Sequence, residues 1–223
     1  MRLVVINPNS TVSMTDKIAA AARLATPRSA DRRGTCHGSP PSIQVPADDA
    51  AALPFLLADT QAAVTDGADA RIIACFDEPG LVQARATGAV PVLGIGHAAF
   101  HAAMLLGHHY SVVTTSSVSI PIIQDNIKTY GLGSHCLNVR ASKVPVLDLE
   151  KPGSAARARI SGEIGWAIVQ DQATAIVRRC AGMADLAAAL SAEHNVPVID
   201  GVAAACGFAQ TLVLLKHPAP RIK

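Results

Sequence analysis

Ile72-Ile73-Ala74-Cys75 and Ile176-Val177-Arg178-Arg179-Cys180 are two similar phrases, each a β-branched apolar run that ends in a cysteine, and the cysteines lie 105 positions apart in a chain of 223 residues. A second pair keeps nearly the same spacing. Val90-Pro91-Val92-Leu93 returns as Val196-Pro197-Val198-Ile199 at an offset of 106. A looser third pair sets Leu3-Val4-Val5-Ile6, running into Asn7-Pro8-Asn9-Ser10-Thr11, against Ser111-Val112-Val113, running into Thr114-Thr115-Ser116-Ser117. Three strand-like phrases at one offset indicate an internal repeat far too long for a solenoid unit. They predict two related lobes that face each other, each bringing one cysteine to the cleft between them.

Working outward, apolar runs at 3–6, 71–75, 90–93, 111–114, 144–147, 174–178 and 196–199 alternate with Ala-rich stretches of helical character at 13–24, 48–65, 97–106, 119–130, 154–171, 183–193 and 202–215. Near-continuous apolar strands separated by helices specify parallel sheets covered on both faces. The fold class expected is therefore α/β, with two pseudo-symmetric lobes, each a short parallel sheet flanked by helices, and the active site in the cleft. Residues 1–95 with 205–223 are assigned to the first lobe and 96–204 to the second. The stretch from Thr26 to Pro46, with its prolines and charges, reads as a surface loop leading into a short strand near Ile43, and the tail from His217 reads as frayed.

Composition narrows the function. Half the residues are apolar but only 3% are aromatic, so the core is built from Ala, Val, Ile and Leu. The net charge is +2 with no long basic run, which lacks the footprint of a nucleic-acid binder and leaves a small neutral or mildly anionic ligand. No apolar run reaches the roughly 20 residues of a membrane span. The first residues, Met1-Arg2-Leu3-Val4-Val5-Ile6, are too short an apolar core for a secretory signal, so a cytoplasmic location is expected. Five cysteines in such a chain read as mostly reduced thiols.

A lone cysteine at a strand end is ordinarily a small buried hydrophobe. The pairing of Cys75 with Cys180 points elsewhere. Each is placed where a strand turns into a helix, and there backbone N–H groups and the helix dipole are expected to lower the thiol pKa from about 8.5. Two thiols facing one another across a cleft suit the removal of a proton from one face of a carbon and its return to the other. Asn9, the Thr/Ser runs and backbone donors after each cysteine would stabilise the enolate oxygen that such chemistry develops. Cys36, Cys136 and Cys206 read as packing or surface thiols. His97 and His101, one turn apart, make at most half a metal site without an acidic partner. Gly94-Ile95-Gly96-His97 resembles a relaxed dinucleotide fingerprint, but the acidic residue expected about 20 positions on is missing, and the glycines read as a tight turn.

Ile6-Asn7-Pro8-Asn9-Ser10-Thr11, Ala74-Cys75-Phe76-Asp77-Glu78-Pro79-Gly80-Leu81, Val112-Val113-Thr114-Thr115, Val139-Arg140-Ala141-Ser142 through Val146-Leu147-Asp148-Leu149-Glu150, Cys180-Ala181-Gly182-Met183-Ala184 and Val196-Pro197-Val198-Ile199-Asp200-Gly201 together resemble the hydantoin racemase branch of the aspartate/glutamate racemase superfamily, which includes allantoin racemases. The resemblance runs from about Met1 to Gln210. It implies a racemase of 5-substituted hydantoins or allantoin that needs no cofactor and no metal. Cys75 and Cys180 would exchange the proton at C5, while Asn9, Thr114, Thr115 and the backbone at Phe76 and Ala181 bind the small-molecule substrate. It also implies a homo-oligomer with no nucleic-acid or membrane partner. The chain departs from that pattern at His97, at Val118, in the segment 42–50, and at Arg178-Arg179, where a guanidinium would either lower the pKa of the adjacent thiol or crowd the pocket. Two other readings compete: an isomerase or decarboxylase of small dicarboxylates on the same fold, and a non-catalytic binding relative.

Overall fold

The structure is a computed structural model that describes residues 1–106, 109–144, 155–179 and 184–215, with the side chains of 30–33 and 184–185 left aside. The first half runs β1 (Leu3–Asn7), α1 (Val12–Ala25), β2 (Ala30–Thr35), α2 (Pro46–Thr65), β3 (Ala70–Ile73), α3 (Leu81–Ala86), β4 (Val92–Gly94) and α4 (Ile95–Leu105). The second runs β5 (Tyr110–Thr114), α5 (Ile120–Thr129), β6 (Cys136–Ala141), α6 (Ala156–Gln170), β7 (Ala175–Arg178), α7 (Ala184–His194), β8 (Val198–Ile199) and α8 (Gly201–Leu214).

Each half contributes a four-stranded sheet, and the order is the same in both: β2-β1-β3-β4 and β6-β5-β7-β8. All pairings are parallel. Alternation along the strands divides the side chains between two layers. Leu3, Val5 and Ile72 with Val112, Ala175 and Val177 enter one core that joins both sheets to α1, α4 and α8, whereas Val4, Ile6 and Ile73 face α2 and α3, and Val113 and Ile176 face α6 and α7. The last helix of each half packs across to the other: α8 lies on β1, β3 and β4, while α4 reaches β7, β8 and α5. Gly201 permits the α4–α8 approach, since a Cβ there would stand 2.7 Å from the carbonyl oxygen of Ile95.

Three expectations are corrected. The stretch after Thr26 is not all loop: Ala30–Thr35 pairs in parallel with β1 as an edge strand, and no strand forms at Ile43. The strand expected at 144–147 is instead β6, at Cys136–Ala141; Val144 is outside it, and 145–147 lie outside the described residues. The short helix α3 was not anticipated from the pattern. Both strands that escaped the pattern are sheet edges, where one side of the strand meets solvent and a continuous apolar run is not required. The tail from His217 lies outside the described residues. No described helix is long and apolar enough to cross a membrane.

Candidate active site

Because every strand in each sheet is parallel, one edge of each sheet collects all the carboxyl ends, where α/β proteins bind ligands. β1 delivers Asn7 and the Asn9 loop to that edge, β3 delivers Cys75, β5 delivers Thr114 and Thr115, and β7 delivers Arg178 and Arg179. Cys180 and Ala181, which follow, lie outside the described residues, as do Gly182 and Met183.

The Asn9 loop is built from inside. Asn7 is fully buried and its amide donates to the Asn9 Oδ1 at 2.9 Å and the Thr15 Oγ1 at 3.0 Å. The same Asn9 oxygen accepts from the Thr11 N–H at 3.0 Å, so the carbonyl end of Asn9 is committed to the loop and its Nδ2 is directed toward the Met14 sulfur, 3.4 Å away. A thioether is a weak acceptor, and the amide keeps its capacity to donate to a ligand carbonyl. On the other lobe, Thr114 and Thr115 are 1% and 4% exposed, and neither hydroxyl has a hydrogen-bond partner among the described residues. Buried hydroxyls in that condition are costly, and a bound polar group relieves them.

Cys75 is half-buried on the loop after β3, anchored by the Ala74 N–H donating to the Ile6 carbonyl at 2.9 Å. Its neighbour Phe76 turns its ring into the core, edge-on to Phe100 at 5.3 Å, so only the Phe76 backbone can serve a ligand. The expected lowering of the thiol pKa is reversed. The following helix begins only at Leu81, too far along to act as a dipole on the sulfur. Burial pushes the Cys75 thiol up to about 12, and the Asp77 carboxylate adds to it; Arg179 and a hydrogen bond from the Asp77 N–H oppose, and Asp49 raises it slightly. Arg179 was expected to act on the thiol next to it. It reaches across to the other lobe, its Nε donating to the Asp77 Oδ1 at 3.1 Å and its Nη2 to Oδ2, and both side chains are nearly inaccessible, 7% and 1% exposed; Cys180 itself lies outside the described residues. This buried bidentate pair joins the residue before Cys180 to the loop of Cys75. Sequence reading passed over Asp77 as a partner; a carboxylate two positions after a candidate thiol was the available signal.

The histidines are spoken for. His97 Nδ1 lies 2.9 Å from an Arg85 Nη, and His101 Nδ1 is 2.9 Å from the His97 carbonyl. Burial and then Arg85 push His97 down to about 4, so the ring is neutral and accepts from the guanidinium. A cation has no place beside that guanidinium. Gly94 and Gly96 lie where β4 turns directly into α4, and they make room for Glu78 and for the Phe76 carbonyl.

The sequence profile described as Asp/Glu/Hydantoin racemase matches residues 3–209. A hydantoin racemase of Rhizobium meliloti is 42% identical over 96% of this chain and 89% of its own length, and one of Pseudomonas sp. (strain NS671) is 35% identical over 100% and 90%. Among solved structures, the allantoin racemase from Klebsiella pneumoniae superposes with a TM-score of 0.93 at 36% identity, covering 99% of this chain and 90% of that one. The likeness spans both sheets and the whole carboxyl edge on which Cys75 stands, and the chain belongs to the Asp/Glu/hydantoin racemase family, a racemase and so an isomerase.

Proposed function

We propose that the protein racemises 5-substituted hydantoins or allantoin by moving the proton at C5 between Cys75 and Cys180. One observation carries the reading: the two sheets share one strand order, and Cys75 and Cys180 follow equivalent strands, β3 and β7, at their carboxyl ends. The C5–H bond breaks to a thiolate on one face while an S–H on the other face gives its proton to C5. The charge that develops passes to a ring carbonyl, which the Asn9 amide and the Thr115 hydroxyl are suited to receive. With its pKa pushed up to about 12, Cys75 rests as a neutral thiol and is suited to give its proton to C5 for one of the two enantiomers. After turnover it holds the opposite protonation state and serves the other enantiomer.

The test is enantiopure L-5-benzylhydantoin, and separately allantoin, in deuterated buffer, following optical rotation and the C5 proton signal. Loss of rotation with deuterium uptake is expected with wild type. Cys75→Ser and Cys180→Ser should each lower racemisation by at least about 1,000-fold, since each removes one face of the relay. Equal racemisation by wild type and the double mutant would sink the mechanism.

A further inference from the structure

The loop that carries Cys75 is fastened to the rest of the molecule through the two residues that follow Phe76. Asp77 is held by Arg179, and its carbonyl accepts from the Asn126 Nδ2 of α5 at 3.3 Å. Glu78 is fastened more elaborately. Its backbone has φ of 60°, the left-handed region that a residue with a Cβ occupies at a cost, and its N–H donates to the Cys75 carbonyl at 3.2 Å. Its carboxylate enters a fitted slot. Oε1 accepts the His97 N–H at 2.5 Å in the first turn of α4, and Oε2 accepts the hydroxyl of Tyr130, the residue that closes α5.

The slot exists because of two glycines. A Cβ on Gly94 would stand 2.0 Å from Oε1, and one on Gly96 would stand 2.7 Å from the Phe76 carbonyl oxygen. The Gly94-Ile95-Gly96 spacing, the start of α4 and the end of α5 therefore converge on one carboxylate, three residues from Cys75. Neither nucleotide binding nor a turn accounts for that convergence.

We propose that Glu78 is a positioning residue: by tying α4 and α5 to the 74–80 loop through one carboxylate, it fixes the direction from which the Cys75 sulfur approaches substrate. The inference rests on Cys75 being a proton-transfer group. Arg85 of α3, His97 and His101 of α4, Tyr130 of α5 and the Asp77–Arg179 pair are the charged or titratable groups around it. Burial pushes the carboxyl up to about 7, against the His97 N–H, Tyr130 and Arg85, so its charge changes near neutrality.

Three variants test it: Glu78→Gln, Tyr130→Phe, and Gly94→Ala, whose φ of −95° accepts alanine so that displacement of the carboxylate is its main effect. Two readouts are taken across pH 6 to 10: kcat and KM for racemisation, and the rate at which iodoacetamide labels Cys75, resolved by mass spectrometry. In wild type we expect kcat to show a step at an ionisation near pH 7. In Glu78→Gln that step should vanish, with kcat down about 10-fold and KM nearly unchanged, and labelling of Cys75 should change by at least about 3-fold as the loop loosens. Gly94→Ala should behave like Glu78→Gln and Tyr130→Phe should fall between. If Glu78→Gln does not fold, the other two decide. Unchanged kcat, pH profile and labelling in the folded variants would overturn the proposal. Racemisation that survives Cys75→Ser would overturn the assignment of the base, and the labelling data would still report whether Glu78 holds the loop.

Discussion

The acidity of Cys75 is set by groups from three separate elements. Burial is the largest influence, Asp77 opposes ionisation from its own loop, Arg179 favours it from the end of β7, and Asp49 weighs in from the first turn of α2. Asp77→Asn removes a negative charge and releases a guanidinium, and both changes favour the thiolate. Alkylation of Cys75 at pH 8 should become faster by about 10-fold in that variant and slower in Arg179→Gln, which removes the one cation among the described residues that favours its thiolate. The labelling rate against pH, read for each variant, checks both directions. Residue types and strand ends were legible in the sequence, and they led to Asn9 and Cys75 at the carboxyl edge of one sheet and Thr114 and Thr115 at that of the other. The sign of the pKa shift was not, because it depends on what the fold packs around the sulfur. The Arg179–Asp77 pair was equally hidden, since its members are 102 positions apart.

At the scale of elements, the Glu78 slot makes α4 the site of two opposed titrations. Glu78 has a folded pKa raised from 4.5 to about 7, so its contribution to stability is fully present below pH 4.5 and is lost as pH rises through 7. His97 has a folded pKa lowered from 6.5 to about 4, so its contribution is present above 6.5 and is lost as pH falls through 4. Between about pH 4.5 and 6.5 the two slopes offset each other. Relative to wild type, denaturation midpoints in that window should slope upward with pH in Glu78→Gln and downward with pH in His97→Gln. Parallel slopes in all three proteins would refute the assignment. The crossing of α4 and α8 makes a separate prediction. Gly201→Ala drives a Cβ into the Ile95 carbonyl and should cost about 1–3 kcal/mol in chemical denaturation, since a backbone atom cannot yield as a side chain does. The central strands were read correctly because both of their faces are buried and their apolar runs are continuous. Two of the four edge strands, Ala30-Asp31-Arg32-Arg33-Gly34-Thr35 and Cys136-Leu137-Asn138-Val139-Arg140-Ala141, carry polar residues and gave no such signal, whereas the short apolar edges β4 and β8 did. The two polar edges stand 106 positions apart, as the β4 and β8 phrases do, but share no residue in register, so the repeat did not show them in the sequence.

For the whole molecule, the decisive fact is that one core spans both sheets, with Leu3 and Ile72 in the same cluster as Val112 and Val177. Unfolding in urea should be a single transition, with far-UV circular dichroism coincident with the loss of exchange protection in β1 and β5. Two separated transitions would show lobes that stand independently. The doubling of the chain was legible because three phrases kept one offset, while the shared core was not, since nothing in a repeat states which sheet its last helix will cover. That arrangement has a consequence for the unit that was doubled. A single copy ending in a helix shaped for another copy's sheet leaves one of its own faces bare and holds a cover it cannot use. Two such halves satisfy each other by reciprocal exchange of their last helices, so neither half of the chain carries a complete cover of its own.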